Sequence, residues 1–416
     1  MPDGSTIVAG QLLLPAEGGS ARIAPGYLRI EGEAIAEVVE GGAPASAVAP
    51  SADSGGPSAL VCPGFIDCHA HLPQFEMIGA YGLHLLHWLE QVTFPTERQW
   101  EDPAYAAAAT EAAITQFFSH GTTAACCYGT VHQAGTEAAL SVASDRGLRG
   151  VIGQTLIDRN APDYLTLPRE QQIDETAKLL DRFPPGSRMA AAVTPRFAVS
   201  CTPELLADGG RLADEREAAV QSHLAETVPE CELISDLFDG VPYTQVYRDA
   251  RLLNDRSIYG HGIYLGLEEL RILRDARAVI AHCPTANSFL RSGTMNRQEL
   301  LAASVRVALG SDVGAGYERS MVRVGRAMIE AAATLTETPP NAAQAWHQIT
   351  AGNAAALGWQ DGGVLRAGDP ADVVLIEPNI DWLGGRTDPL SRLMFAWDDR
   401  WVRKTWARGE VVHGAA

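Results

Sequence analysis

Apolar residues in this chain come in short runs separated by polar and turn-forming positions. From residue 5 to 40 they alternate with Gly, Pro and charged residues ("TIVAGQLLLP", "GYLRIEGEAIAEVVE"), which predicts a small antiparallel β-module. A stretch rich in Ala, Ser, Pro and Gly, "GGAPASAVAPSADSGGPSA", follows and reads as a linker or surface excursion. The texture changes at residue 59. Eight β-rich runs then recur: "ALVCPGFIDCHAHL", "GTTAACCYGT", "LRGVIGQTLID", "MAAAVTPRFAVS", "AAVQSHLAE", "SIYGHGIYL", "AVIAHCPTAN" and "VRVALGSDVG". Helical patterns lie between them, at 104–118, 171–182 and 267–275. This alternation predicts an α/β fold, a parallel (β/α)8 TIM-like barrel, with a doubly wound open sheet as its rival. Near the end, "GVLRAGDPADVVLIEP" and "WVRKTWARGEVVHG" return to β texture. Pairing these with the first module gives a small β-sandwich domain built from both chain termini, with boundaries at 1–58, 59–365 and 366–416.

A length of 416 residues suits one large barrel with an appended module. With 46% hydrophobic and 20% charged residues, the composition is that of a globular protein rather than a disordered one. No apolar run approaches the ~20 residues that span a bilayer, so a membrane protein is not expected. The net charge of -19, with Lys178 and Lys404 the only lysines, repels phosphate backbones and argues against nucleic acid or anionic lipid as a partner. Seven cysteines without paired spacing, and no export signal at the start, point to a reduced, cytoplasmic chain. The absence of Cys-x-x-Cys removes the cytidine-deaminase type of zinc site.

Chemistry is sought where the apolar runs stop, because a parallel barrel gathers its reactive groups at the C-terminal strand ends. Read in order, those ends carry His69 and His71, Arg196, His223 with Glu226, His261, His282 and Asp312. His69 and His71 are two apart, so a strand projects both to one face. Three imidazoles and a carboxylate suit zinc or ferrous iron with a position left for water. Taken singly, His223 reads as a hydrogen-bonded core histidine and Asp312 as a turn cap; as an ordered set at strand ends they read as ligands.

The motifs "PGFIDCHAHLPQ", "SHLAE", "HGIYL", "AHCPTAN" and "GSDVG" resemble the amidohydrolase superfamily along nearly the whole chain. "HLPQF", "LLHWLEQVTFPTE", "TPRFAVSC" and "DVGAGYERSM" are more similar to its guanine deaminases. The resemblance implies one zinc ion per subunit, or ferrous iron in its place, held by His69, His71, His223 and Asp312. It also implies catalytic roles for Glu226 as proton shuttle, Asp312 as base and His261 as the group that orients water, and base recognition by Gln74, Arg196 and Phe197. The "MAAAVTPRFAVS" run has no lysine to be carboxylated, so a mononuclear centre is expected.

The implied reaction is attack of zinc-activated hydroxide on carbon 2 of guanine, giving xanthine and ammonia, with guanine and water as the partners and a homodimer as the assembly. An aminohydrolase acting on a pterin, a triazine or another purine is the alternative within the superfamily, and a non-catalytic barrel scaffold the alternative outside it. The segment 73–98 is expected as a long loop that shields the site. On it, His84 and His87 stand three apart on an expected helix and are read as packing or surface residues, and His282 as a group behind the site or in the core.

Overall fold

The structure is a computed structural model that describes residues 5–41, 54–336 and 338–414. The expected linker at 41–59 lies largely outside them. By packing, the chain divides into two compact units: Met1–Asp67 with Ile114–Ala124 and Arg319–Ala416, and Cys68–Ala113 with Ala125–Glu318.

The terminal β-domain is a seven-stranded mixed sheet. Its first four strands are β1 (Ser5–Ala16), β2 (Ser20–Glu31), β3 (Ala34–Glu40) and β4 (Ser54–Pro63). Register is set by the β1–β2 hairpin, where Ser5 faces Glu31 and Ala16 faces Ser20, and the pairing of β1 with β4 is parallel. Val8, Leu12, Leu28, Ile30 and Val61 supply one buried face, following the period of two that strands impose.

Eight further strands form the second sheet in sequential order: β5 (Phe65–His71), β6 (Thr122–Tyr128), β7 (Arg149–Leu156), β8 (Met189–Pro195), β9 (Ala219–Leu224), β10 (Ser257–His261), β11 (Val279–His282) and β12 (Arg306–Leu309). Each β-rich run of the sequence contains one of them, but the first, 59–72, is split between β5 and the end of β4, which belongs to the other sheet. β5, β6 and β8 are buried at every position, which is why they read as continuous apolar runs. Beyond β12 the chain bonds back to β5, with Asp312 N donating to His69 O at 2.8 Å and His71 N to Val313 O at 2.6 Å, so the sheet comes round on itself as a barrel. The helices expected at 104–118, 171–182 and 267–275 span Pro103–Ser119, Arg169–Arg182 and Leu267–Ala276.

The C-terminal strands β13 (Val373–Ile376), β14 (Val402–Ala407) and β15 (Glu410–His413) complete the first sheet. β13 lies antiparallel to β4, so the two ends of the chain share one hydrogen-bonded ladder.

One expectation is corrected. The segment after β5 carries a helix beside His84, as expected, but outside 78–84 the rest is also short helical turns rather than loop: Leu72–Met77, Leu85–Trp88, Leu89–Thr93, Phe94–Glu97 and Arg98–Glu101. Leu85, Trp88 and Leu89 recur at helical spacing and are buried, and that apolar stripe is what holds the turns in place.

Candidate active site

Three strand ends deliver the ligand set. His69 and His71 leave the same face of β5, His223 ends β9, and Asp312 sits three residues past β12. Their ligand atoms all lie within 4.8 Å of one another. His71 Nε2 is 3.2 Å from His223 Nε2, and Asp312 Oδ1 is 3.3 Å from His69 Nε2 and 3.2 Å from His71 Nε2. Two glycines make room for this. A Cβ on Gly260 would stand 2.6 Å from His69 Cε1, and one on Gly310 2.6 Å from His69 Cβ. The backbone is bent to the purpose as well, since Ala225, His261 and Asp312 all hold positive φ, a conformation that concentrates at functional sites.

Protonation favours a cation. His223 Nδ1 donates to the Arg196 carbonyl at 2.6 Å, which leaves the Nε2 lone pair aimed at the cluster. Burial, reinforced by the neighbouring imidazoles, holds His223 well below the usual histidine range. Burial likewise takes His71 down to about 4, against the pull of Asp312. For Asp312 burial acts upward, but the neighbouring His69 and His71 outweigh it and hold the carboxyl well below its usual range, so it is ionised. The lowered His71 and His223 and the ionised Asp312, converging with His69 on one point, fit a divalent cation.

The carboxyl of Glu226 faces the same space. Its Oε2 is 3.3 Å from His261 Nε2, and its Oε1 accepts from Ser292 Oγ at 2.7 Å. Burial, then the charge of Asp312, pushes it up to about 8, so at neutral pH it holds a proton it can give. His261 Nδ1 donates to Asn287 Oδ1 at 2.9 Å, which fixes the ring and turns Nε2 toward Glu226 and Asp312.

A cavity opens over these groups, lined also by Gln74, Leu85, Trp88, Leu89, Arg196 and Phe197. Every residue expected at the site therefore meets in one place. Arg196 and Gln74 are joined by a residue that sequence reasoning did not single out: Glu97 accepts from Arg196 Nη1 at 2.8 and 3.0 Å and from Gln74 Nε2 at 2.8 Å. Its signal was present in the "FPTE" segment, but nothing in a linear sequence says that this carboxylate turns inward. Tyr128, at the end of β6, was also missed; its ring lies over His71 at 4.4 Å. Asn287 and Ser292 stand in the stretch 284–292 without any spacing rule to mark them.

His282 is buried behind the site with neither ring nitrogen hydrogen-bonded, and burial with the nearby Arg297 takes it down to about 3. His84 and His87 are exposed and lie outside the cluster, which is the sole group of three or more metal-competent residues found among the described residues.

The model of the amidohydrolase family matches residues 60–412. The chain belongs to the amidohydrolase family. Within that family it is 35% identical over 365 residues to a guanine deaminase of Escherichia coli, covering 85% of this chain and 83% of the relative. It is 34% identical over 370 residues to one of Dictyostelium discoideum, covering 85% and 82%. The solved E. coli guanine deaminase superposes with a TM-score of 0.91 at 30% identity, covering 99% of this chain and all of that one. A guanine deaminase from C. acetobutylicum solved with guanine bound in the active site superposes at 0.90 with 25% identity over the same shares. The family and the His/Asp cluster together support a bound divalent metal. Among the described residues no helix is long and apolar enough to cross a membrane.

Proposed function

We infer that this chain hydrolyses guanine at carbon 2, releasing ammonia and leaving xanthine. The observation that carries the reading is the meeting, in one buried cavity, of a four-ligand cluster, a protonated carboxyl and a polar set able to read a base. The guanine deaminases that match over most of the chain support the choice of substrate.

His69, His71, His223 and Asp312 would hold a divalent cation, which would lower the pKa of water from ~15.7 toward ~7 and so supply a nucleophile at neutral pH. The donor set favours zinc, one per subunit, with ferrous iron next. Asp312 takes the proton of the attacking water, and His261 orients that water and stabilises the oxygen of the tetrahedral adduct. Glu226 gives its proton to the ring nitrogen beside carbon 2, relays the water proton collected by Asp312 to the departing amine, and is reprotonated from the adduct's hydroxyl as the carbonyl forms, work typically contributing ~10²- to 10⁴-fold. Gln74 and Arg196 hold the polar edge of the base, and Phe197 packs on its face. His223 and Phe197 rings are 6.5 Å apart, which suits a purine seated beside the metal.

We read the protein as a cytoplasmic homodimer, a reading supported by seven free cysteines for the compartment and by likeness to related enzymes for the assembly; sedimentation tests the latter. For the reaction, zinc-loaded protein is given guanine, adenine, cytosine and a pterin while ammonia is followed. Guanine must be turned over fastest, and chelation must abolish the release. Equal rates on all four bases would remove the substrate assignment.

A further inference from the structure

Gln74 and Arg196 face the cavity, yet neither is free to choose its polarity. An isolated glutamine can present its amide oxygen or its amide nitrogen, two nearly isosteric arrangements with opposite hydrogen-bonding sense. Here the choice is made by Glu97. Its carboxylate, paired through both oxygens with Arg196 Nη1, can only accept, so the Gln74 nitrogen must point to it, at 2.8 Å. The other end of the amide follows. Gln74 Oε1 is buried and has no hydrogen-bond partner. A buried acceptor left in that state in a cavity wall is waiting for a donor from outside the chain.

The same carboxylate sets Arg196. Its hydrogen bonds run from Nη1 to Glu97, which leaves Nε and Nη2 as donors, and the guanidinium lies 5.6 Å from the centre of the Phe94 ring, which steadies its plane. All three polar groups are almost fully buried, Glu97 at 2%, Gln74 at 1% and Arg196 at 4% exposure, so none can be satisfied by bulk water.

We propose that Glu97 is the specificity-determining residue of this pocket, acting through its neighbours: it fixes Gln74 as an acceptor and Arg196 as a donor, so that the pocket takes a base offering an N–H to the first and a carbonyl to the second. The proposal rests on the reading of the reaction given above for its orientation. With carbon 2 at the metal, the polar groups of guanine remote from it are the 6-oxo oxygen, N7 and the imidazole N–H. An arginine fork matches the first two, as it does in guanine recognition generally, and an acceptor-only amide matches the third. A base with an amine at carbon 6 sets donor against donor at Arg196. Glu97 touches no substrate in this scheme and is a positioning residue.

Hypoxanthine shares the 6-oxo group and imidazole of guanine but lacks the amine that leaves, so it binds without turnover; adenine carries the 6-amine. Equilibrium binding of both to metal-loaded protein, together with guanine kinetics, tests the proposal. Wild-type protein is expected to prefer hypoxanthine by about tenfold or more, the loss that one mismatched buried polar contact produces. In Glu97→Gln the preference falls to within about threefold, and KM for guanine rises about tenfold or more while kcat falls by less. The exchange Gln74→Glu with Glu97→Gln keeps charge and volume, lets the new glutamine donate to the new carboxylate, and again presents an acceptor to the base. It is expected to recover the preference.

A Glu97→Gln protein with wild-type preference and KM overturns the proposal, as does a wild-type protein that does not distinguish the two bases. Should Glu97→Gln alone fail to fold, the exchange variant decides: preference retained supports the proposal, preference lost sinks it. Wild-type protein that shows the preference yet releases no ammonia from guanine would instead remove the assigned reaction and leave the role of Glu97 standing.

Discussion

Gly260→Ala isolates the steric basis of the metal centre. Gly260 does not have a positive φ, so alanine introduces no backbone strain and only the added methyl group acts. That Cβ would lie 2.6 Å from His69 Cε1, 3.0 Å from Nε2 and 3.1 Å from Nδ1. Carbon atoms in contact settle at ~3.5–4.0 Å, so the imidazole must retreat by about 1 Å. Its Cβ cannot move to help, because Gly310 is pressed against it from the other side. Overpacking of this kind costs roughly 1–3 kcal/mol, and here the strain is relieved by pulling one ligand off its position. Cation affinity should therefore fall by about 10- to 100-fold, the range seen when ligand orientation is disturbed. The assay is competition with a graded chelator series, read as retained metal, with Gly209→Ala as control. At Gly209 the nearest atom to an added Cβ is Val193 Cγ1 at 3.4 Å, an ordinary contact remote from the ligands. Native metal retention in Gly260→Ala would refute the claim that this glycine exists to seat His69.

Glu226→Gln should bind metal normally and lose ~10²- to 10⁴-fold in turnover, measured by ammonia release alongside metal content; near-normal turnover would exclude the shuttle role. In Ser292→Ala the hydrogen bond that lowers Glu226 is gone, so its pKa rises further and the alkaline limb of the kcat/KM profile moves to higher pH; a limb that stays put or moves down contradicts the assignment. Glu230, buried beneath Glu226, is pushed up to about 7 by burial and by Glu226. A carboxyl raised on folding contributes stability that is present below its unfolded value near ~4.3 and lost as pH climbs toward 7. His71, His223 and His282, held low, pull the other way, so the test is a difference: between pH 5 and pH 7.5 the melting temperature of chelated Glu230→Gln should fall less, or rise more, than that of the chelated wild type, and parallel melting curves for the two proteins would count against it.

The barrel was legible because its strands are buried on both faces and its helices are not. That difference writes continuous apolar runs and 3.6-residue stripes into the chain, and so each run from 59 to 314 could be placed. The metal-competent cluster was legible for a related reason: strand ends converge in a parallel barrel, so His69, His71, His223 and Asp312 could be collected by reading where runs stop. In the segment 73–98 only the helix at His84 and His87 was legible, because helical turns of four to six residues leave too short a period to recognise elsewhere, and burial of Leu85, Trp88 and Leu89 shows which face is held.

What the sequence by itself determined is therefore the architecture and the inventory of reactive groups, since both follow from periodicity and from which residue types end each strand. Tertiary structure alone decided their states: that burial raises Glu226, that Gly260 and Gly310 hollow out the place of His69, and that Glu97 takes the amide nitrogen of Gln74 and leaves its oxygen without a partner. Each of these depends on groups tens to hundreds of residues apart meeting in a medium without water, where a carboxyl, a methyl-sized gap or the sense of an amide is set by its neighbours in space.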